Sequence, residues 1–242
     1  MNSRSLQVRR DIIELSKANG GYHYGGTFSC VEILIALYDN ILKNSHDRFI
    51  LSKGHACWGL YVLLRERGYR PSLEGHPHLD TANGVDWTTG SEGHGLPAGV
   101  GMALARKMQG KFGRVYVLIG DGECQEGTTW ESMLMAVQHK LSNLTVIVDF
   151  NKTQGSGFTK DILKIDCMHR VANEIGWIVH DCPGHDVDKL VEMLKCAYQT
   201  APHMIIADTV KGKGVSFMEG KPEWHAKWPN EEEVAAMLKE LQ

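Results

Sequence analysis

The sequence lacks the marks of several large functional classes. Charge is nearly balanced, with 26 basic and 29 acidic residues and a formal net charge of −3, so there is no electrostatic footprint for nucleic acid. No apolar run reaches membrane-spanning length, and MNSRSLQVRRD does not read as a signal peptide. The six cysteines, at 30, 57, 124, 167, 182 and 196, form no CxxC pair. Cys30, Cys57 and Cys196 lie in helical-looking apolar stretches, where a buried free thiol is the ordinary state. A reduced, cytoplasmic setting is expected. Proline is sparse (7) and glycine plentiful (26). The glycines cluster at 20–26, 84–101 and 120–127, which marks loops rather than disorder.

Nucleotide signatures are also missing. Glycines at 120, 122 and 127 break the Gly-x-Gly-x-x-Gly spacing of a dinucleotide site. KGKG at 211–214 is too short for a P-loop and lacks its Ser/Thr. His76-Pro77-His78 has no further ligand spacing to make a zinc site.

What is present is an alternation of strands and helices. Strands are expected at 48–52, 115–119, 144–150, 176–181 and 203–209, from short β-branched and apolar runs. Helices are expected at 6–19, from the low thirties to about 41, from the fifties to about 67, and at 95–107, 127–141, 167–175 and 186–199. Ser29-x-x-Glu32 reads as a capping box before the second helix, and Asn230-x-x-Glu233 caps a last one. Residues 69–94 form a long polar loop and 152–160 a flexible one. The pattern predicts a single α/β domain over 1–242, a parallel-sheet sandwich with helices on both faces. Ligands of such sheets gather at the carboxyl ends of the strands.

At one such edge stands Gly120-Asp121-Gly122, and thirty residues after Asp121 stands Asn151, closing LTVIVDF. The glycines let the backbone turn and a ligand approach. Asp121 would repel a diphosphate unless a cation lay between them, and Mg²⁺ supplies that bridge with oxygen ligands. Adjacent parallel strands would bring Asn151 to the same edge.

The string GDGECQEGTTWESMLMAVQHKLSNLTVIVDFN resembles the thiamine diphosphate signature of transketolases. Five further segments match that family in order: KANGGYHYGGTFSCVEILIALY, DRFILSKGHA, EGHPHLD, VDWTTGSEGHGLPAGVGMALA and KGKGVSFMEGKPEWHAKWPNEEE. The resemblance implies a thiamine-diphosphate-binding fold and only the diphosphate-binding domain of a transketolase. It implies Mg²⁺ (Ca²⁺ or Mn²⁺ substituting) on Asp121, Asn151 and the Thr153 carbonyl, with Gly120 and Gly122 at the diphosphate. It implies His55 and His225 beside the diphosphate or thiazolium, and Gly90, Ser91 and Glu92 lining the aminopyrimidine. His23 and His76 match positions facing the sugars, where an imidazole can move protons. Glu126 and Glu131 match acids that link paired active sites across the subunit interface. Lys211 and Lys213 read as surface charges.

The family's cofactor-activating glutamate sits on a pyrimidine-binding domain, and nothing here resembles its motif. The expectation is therefore a split transketolase, inactive without a C-terminal partner subunit carrying that domain, in an α2β2 assembly. It would transfer a two-carbon ketol unit from a ketose donor to an aldose acceptor. Four departures from the family pattern bear on substrate: Tyr22 and Tyr24 around His23, Glu92 and His94 in the glycine-rich loop, His78, and Trp228. They point to a modified sugar or, alternatively, to acyl transfer from a 2-oxo acid. A remnant domain that binds without turnover is the third reading.

Overall fold

The computed structural model describes residues 1–196 and 200–242. Its main sheet has five strands: β1 (Arg48–Leu51), β2 (Val115–Gly120), β3 (Leu144–Phe150), β6 (Ile178–Pro183) and β7 (His203–Asp208). A two-stranded ribbon, β4 (Thr153–Gln154) and β5 (Gly157–Phe158), stands apart. The spatial order is β1-β2-β3-β7-β6, and every pairing is parallel.

Side chains alternate along each strand and so feed two cores. Phe49, Leu51, Tyr116, Leu118, Ile147 and Ile205 pack with α1 (Ser3–Ala18), α2 (Tyr24–Ser29), α3 (Val31–Ala36), α4 (Cys57–Glu66), α9 (Val187–Lys195) and α10 (Glu231–Glu240). Ile50, Val117, Ile119, Val146, Val148 and Met204 pack with α5 (Gly95–Met108), α6 (Gly127–Gln138) and α8 (Met168–Ile175). This is the expected two-faced sandwich, and it explains why β2 and β3 are apolar on both sides. The small residues of α5 serve close packing: a Cβ on Gly99 would lie 2.4 Å from a Val117 methyl.

Several local expectations need correction. Ser29 caps no helix. It ends α2, and α3 starts at Val31 without a side-chain cap. Its hydroxyl donates instead to Asp149, while Glu32 turns into the core to meet Arg9. The strand expected at 176–181 runs from Ile178 to Pro183, because Gly176 closes α8 in the left-handed conformation. Helix 127–141 stops at Gln138. The segment 152–160 holds the β4–β5 ribbon and the start of a short helix, α7 (Thr159–Ile162). Helix 186–199 is seen as Val187–Lys195, and residues 197–199 of that expectation lie outside the described residues. Cys196 is only half-buried, at the end of that helix. The Asn230–Glu233 capping box forms as read.

One ion pair ties α1 to α3. Arg9 Nη1 lies 2.7 Å from Glu32 Oε1, with both side chains almost fully enclosed. His185 joins them: its Nδ1 is 2.9 Å from Glu32 Oε2, and its Nε2 accepts from the Val210 amide at 2.8 Å. Those two partners fix Nδ1 as the protonated nitrogen. Burial alone would raise the Glu32 pKa, but His185 and Arg9 hold it down to about 2.

A depressed carboxylate contributes stability above its unfolded pKa, and loses it as pH falls through the folded value. Glu32→Gln is therefore expected to lower stability at pH 7 by roughly 3 kcal/mol. It should also flatten the loss of stability between about pH 4.5 and 2. Urea denaturation across that range measures both effects.

Candidate functional site

The strands β1, β2, β3 and β7 end at one edge, and the chain leaves each of them polar. Ser52 and Lys53 follow β1, Asp121 follows β2, Asn151 follows β3 and Thr209 follows β7. The parallel register Gly120↔Asp149 brings Asp121 and Asn151 to the same sheet edge, as the sequence predicted.

Beneath this edge lies Asp149, wholly buried in β3. It accepts from the Lys53 ammonium, the Ser29 and Thr209 hydroxyls, and Asn151 Nδ2 at 3.1 Å. Burial alone would raise its pKa, but Lys53 and these donors keep it below the usual carboxylate range. The Lys53 ammonium stays charged for the same reason. By engaging Nδ2, Asp149 turns the amide oxygen of Asn151 the other way, where the Thr153 amide (3.1 Å) and hydroxyl (2.8 Å) donate to it.

Asp121 is 2% exposed and accepts from the backbone N–H groups of Gly122, at 2.7 Å, and Lys152. Burial and nearby Asp149 push its pKa up to about 7. Lys152 takes φ of 69°, a left-handed conformation unfavourable for a side-chain-bearing residue, to aim that amide. Lys211, expected at the surface, is instead 1% exposed. Its ammonium donates to the Thr153 carbonyl at 3.3 Å and lies 3.2 Å from His225 Nδ1. Burial and Lys53 lower its pKa to about 8. Carboxylate, amide and main-chain oxygens are thus offered by Asp121, Asn151 and Thr153, which border one cavity. They are the hard donors that suit Mg²⁺ or Ca²⁺, and such a cation would offset the burial that pushes the Asp121 pKa up.

Above this floor is a cavity of about 310 Å³. His23, His55, His76, His225, Gly90, Glu92, Gly120, Asp121, Gly122, Asn151 and Thr153 all line it, with Lys53 and Lys211. Ser91, Glu126 and Glu131 do not: all three are exposed, the two acids on and just before α6. A more open hollow of about 560 Å³ shares Asn151 and Thr153 but contains none of the histidines. The smaller cavity is therefore the one that gathers the histidines expected to act.

The imidazoles face one another. Ring centroids are 5.5 Å apart for His23 and His55, 5.3 Å for His23 and His225, and 4.9 Å for His55 and His225. Burial lowers the pKa of all four, to about 3 for His225, which also feels Lys211. They are neutral at pH 7, so each ring has one donor and one acceptor. His23 Nδ1 bonds the His225 carbonyl and must donate to it, leaving Nε2 as an acceptor. His225 Nδ1 faces the Lys211 ammonium and accepts, which puts its proton on Nε2. His23 is itself left-handed, at φ 63°. Such strain in a non-glycine residue clusters at functional sites.

The glycine-rich loop hangs from Glu123. That carboxyl accepts from Gly93 N at 2.9 Å, Gly120 N at 3.2 Å and the Ser52 hydroxyl, which in turn accepts from Gly95 N. Burial pushes its pKa up to about 7. Gly93 has φ of 83°, and a Cβ there would strike Glu126 at 2.8 Å. Glu92 Oε1 reaches to 3.2 Å from His55 Nδ1. Tyr22 and Trp228, two of the departures, are stacked on each other with centroids 4.5 Å apart. Lys53, Asp149, Glu123 and Lys211 were assigned no role from the sequence. An acid inside the apolar run LTVIVDF was the one available signal for Asp149.

A family model described as the transketolase thiamine diphosphate binding domain matches residues 4–242. The chain is 42% identical to one of the subunits of apulose-4-phosphate transketolase from Actinobacillus succinogenes, over 100% of this chain and 95% of that protein. It is 37% identical to a 6-deoxy-6-sulfo-D-fructose transketolase subunit of Clostridium sp., over 97% of this chain and 94% of that one. Among solved structures it resembles transketolase from Leishmania mexicana, with a TM-score of 0.88 at 24% identity, a likeness of fold. All of this chain is covered there, but only 41% of that enzyme.

The Lys53–Asp149 pair generates a test of its own. Removing one partner of a buried pair leaves an uncompensated charge and costs about 3 to 5 kcal/mol. Asp149→Asn should lower the urea-unfolding free energy by that amount. The double variant Lys53→Met, Asp149→Leu should recover most of the loss.

Proposed function

The chain belongs to the transketolase family, and from that premise we propose that it is the diphosphate-binding subunit of a two-component transketolase. It moves a two-carbon ketol unit from a modified-sugar ketose to an aldose. The observation that carries this reading is that Asp121, Asn151 and Thr153 line one cavity together with four imidazoles whose pKa burial lowers.

In this reading the three oxygen ligands hold Mg²⁺, for which Ca²⁺ or Mn²⁺ substitutes. Gly120 and Gly122 give the diphosphate close access, and Lys53 and Lys211 set positive charge around it. Gly90, Ser91 and Glu92 border the aminopyrimidine. Thiamine diphosphate, when bound, supplies the nucleophilic carbon that attacks a ketone. The chain's own residues move protons around that chemistry. His23 Nε2, a lone pair held by the His225 carbonyl on the opposite nitrogen, accepts a proton from a sugar hydroxyl. His225 Nε2–H donates to an oxygen that gains charge, and His76, half-buried on the facing wall, does the same for the second sugar. The exposed Glu126 and Glu131 face a neighbouring subunit.

Residues 1–242 act as one domain, in the cytoplasm. The rest of the site comes from a partner subunit with the pyrimidine-binding domain, in an α2β2 assembly. The similar proteins named as transketolase subunits for apulose 4-phosphate and sulfofructose support a modified sugar.

The test is a turnover assay with thiamine diphosphate and Mg²⁺, on this chain alone and co-expressed with the pyrimidine-domain subunit. Products are read by mass spectrometry over a panel of ketoses and 2-oxo acids. The expected outcome is ketol transfer by the pair only. Ketol transfer by the single chain would refute the split site, and decarboxylation with acyl transfer would establish the 2-oxo acid reading.

A further inference from the structure

Two residues that depart from the family pattern, far apart in sequence, meet beside the cavity-lining His23. The Tyr22 ring stacks on Trp228 at 4.5 Å and 21°, and lies 4.0 Å from the ring of His23. His23 lines the cavity, so the stacked pair adjoins the pocket through that ring.

This arrangement is built rather than incidental. The left-handed backbone at His23 sets its own ring against that of Tyr22. The same two segments are tied a second time, where His23 Nδ1 bonds the His225 carbonyl three residues before Trp228. Trp228 nevertheless remains 57% exposed, whereas Trp224 on the same segment is 2% exposed. A large ring supported on one face and open on the other offers an apolar platform beside a polar pocket. The adjacent cation does not serve the platform: the Lys227 ammonium sits 4.2 Å from the centroid of Trp224 and pairs with Glu233.

We infer that Tyr22 and Trp228 form the substrate-tail subsite of this chain, taking the uncharged, C–H-bearing face of the sugar carbons beyond the transferred ketol unit. Trp228 makes the contact and Tyr22 backs it. An anionic group at the far end of the sugar then falls to the partner subunit. The inference rests on the proposed ketol transfer, and it adds the residues that read substrate length and polarity.

The assay uses two donors and the complex with the pyrimidine-domain subunit. One donor is the best ketose among apulose 4-phosphate, 6-deoxy-6-sulfo-D-fructose and xylulose 5-phosphate. The other is 3-hydroxy-2-oxopropanoate, which has no carbons beyond the ketol unit except the carboxylate lost as CO₂. Trp228→Ala is expected to raise KM for the ketose roughly tenfold with kcat nearly kept. KM for the tail-less donor and affinity for thiamine diphosphate should not change. Tyr22→Ser should act in the same direction but less, and Trp228→Phe should restore most of the loss. Equal effects on both donors, or a fall in kcat alone, would overturn the inference in favour of a role in holding His23. Weakened assembly with the partner would overturn it in favour of a contact between subunits. Absence of turnover by the wild-type complex with either donor would instead sink the ketol-transfer reading, and this inference with it.

Discussion

The site depends on a charge that is expensive to bury. Asp149 and Lys53 both lie in the interior, where isolated ions would not survive. They are tolerated because each neutralises the other and because every donor around Asp149 is used. Those donors come from the end of α2, the turn after β1, the residue after β3 and the residue after β7. One carboxylate therefore fastens the segments that carry the functional side chains, and fixes the orientation of the Asn151 amide. An apolar substitute of equal volume would suit stability as well, but could not orient that amide.

Above this fixed pair the charges are unsettled. Burial and Asp149 push Asp121 towards the protonated form, and burial and Lys53 push Lys211 towards the neutral one. The two shifts have opposite sign, so no single ion relieves both. A divalent cation against Asp121 together with a phosphate near Lys211 does. That is the charge pattern on which the proposed metal–diphosphate site rests. The neutral imidazoles fit beside it, since each uncharged ring carries one hydrogen-bond donor and one acceptor.

Much of this was legible in the chain. Apolar strands of five to seven residues gave the sheet, and the parallel alternation brought Asp121 and Asn151 to one edge as expected. Motif resemblance assigned roles to four histidines, spread from His23 to His225, and the folded chain lines one cavity with them. What stayed hidden was the interior chemistry. Lys53 and Lys211 look like any exposed lysine, because a residue type does not reveal its burial. Ser29 and Glu32 fitted a capping box by spacing, yet tertiary partners claimed both: Asp149 took the hydroxyl and Arg9 the carboxylate. Tyr22 and Trp228 were each noticed as departures, but only the folded chain stacks them. Long-range pairing of this kind leaves no local pattern to read.

The central claim is that a divalent cation binds where the ends of β2 and β3 meet and there receives the diphosphate. The direct measurement is an anomalous-difference map from crystals of the chain grown with Mn²⁺ and thiamine diphosphate. The account predicts one strong peak within coordination distance of Asp121, Asn151 and the Thr153 carbonyl, with diphosphate oxygens completing the shell. A cofactor bound in the cavity with no peak there, or a peak held by other residues, would contradict it.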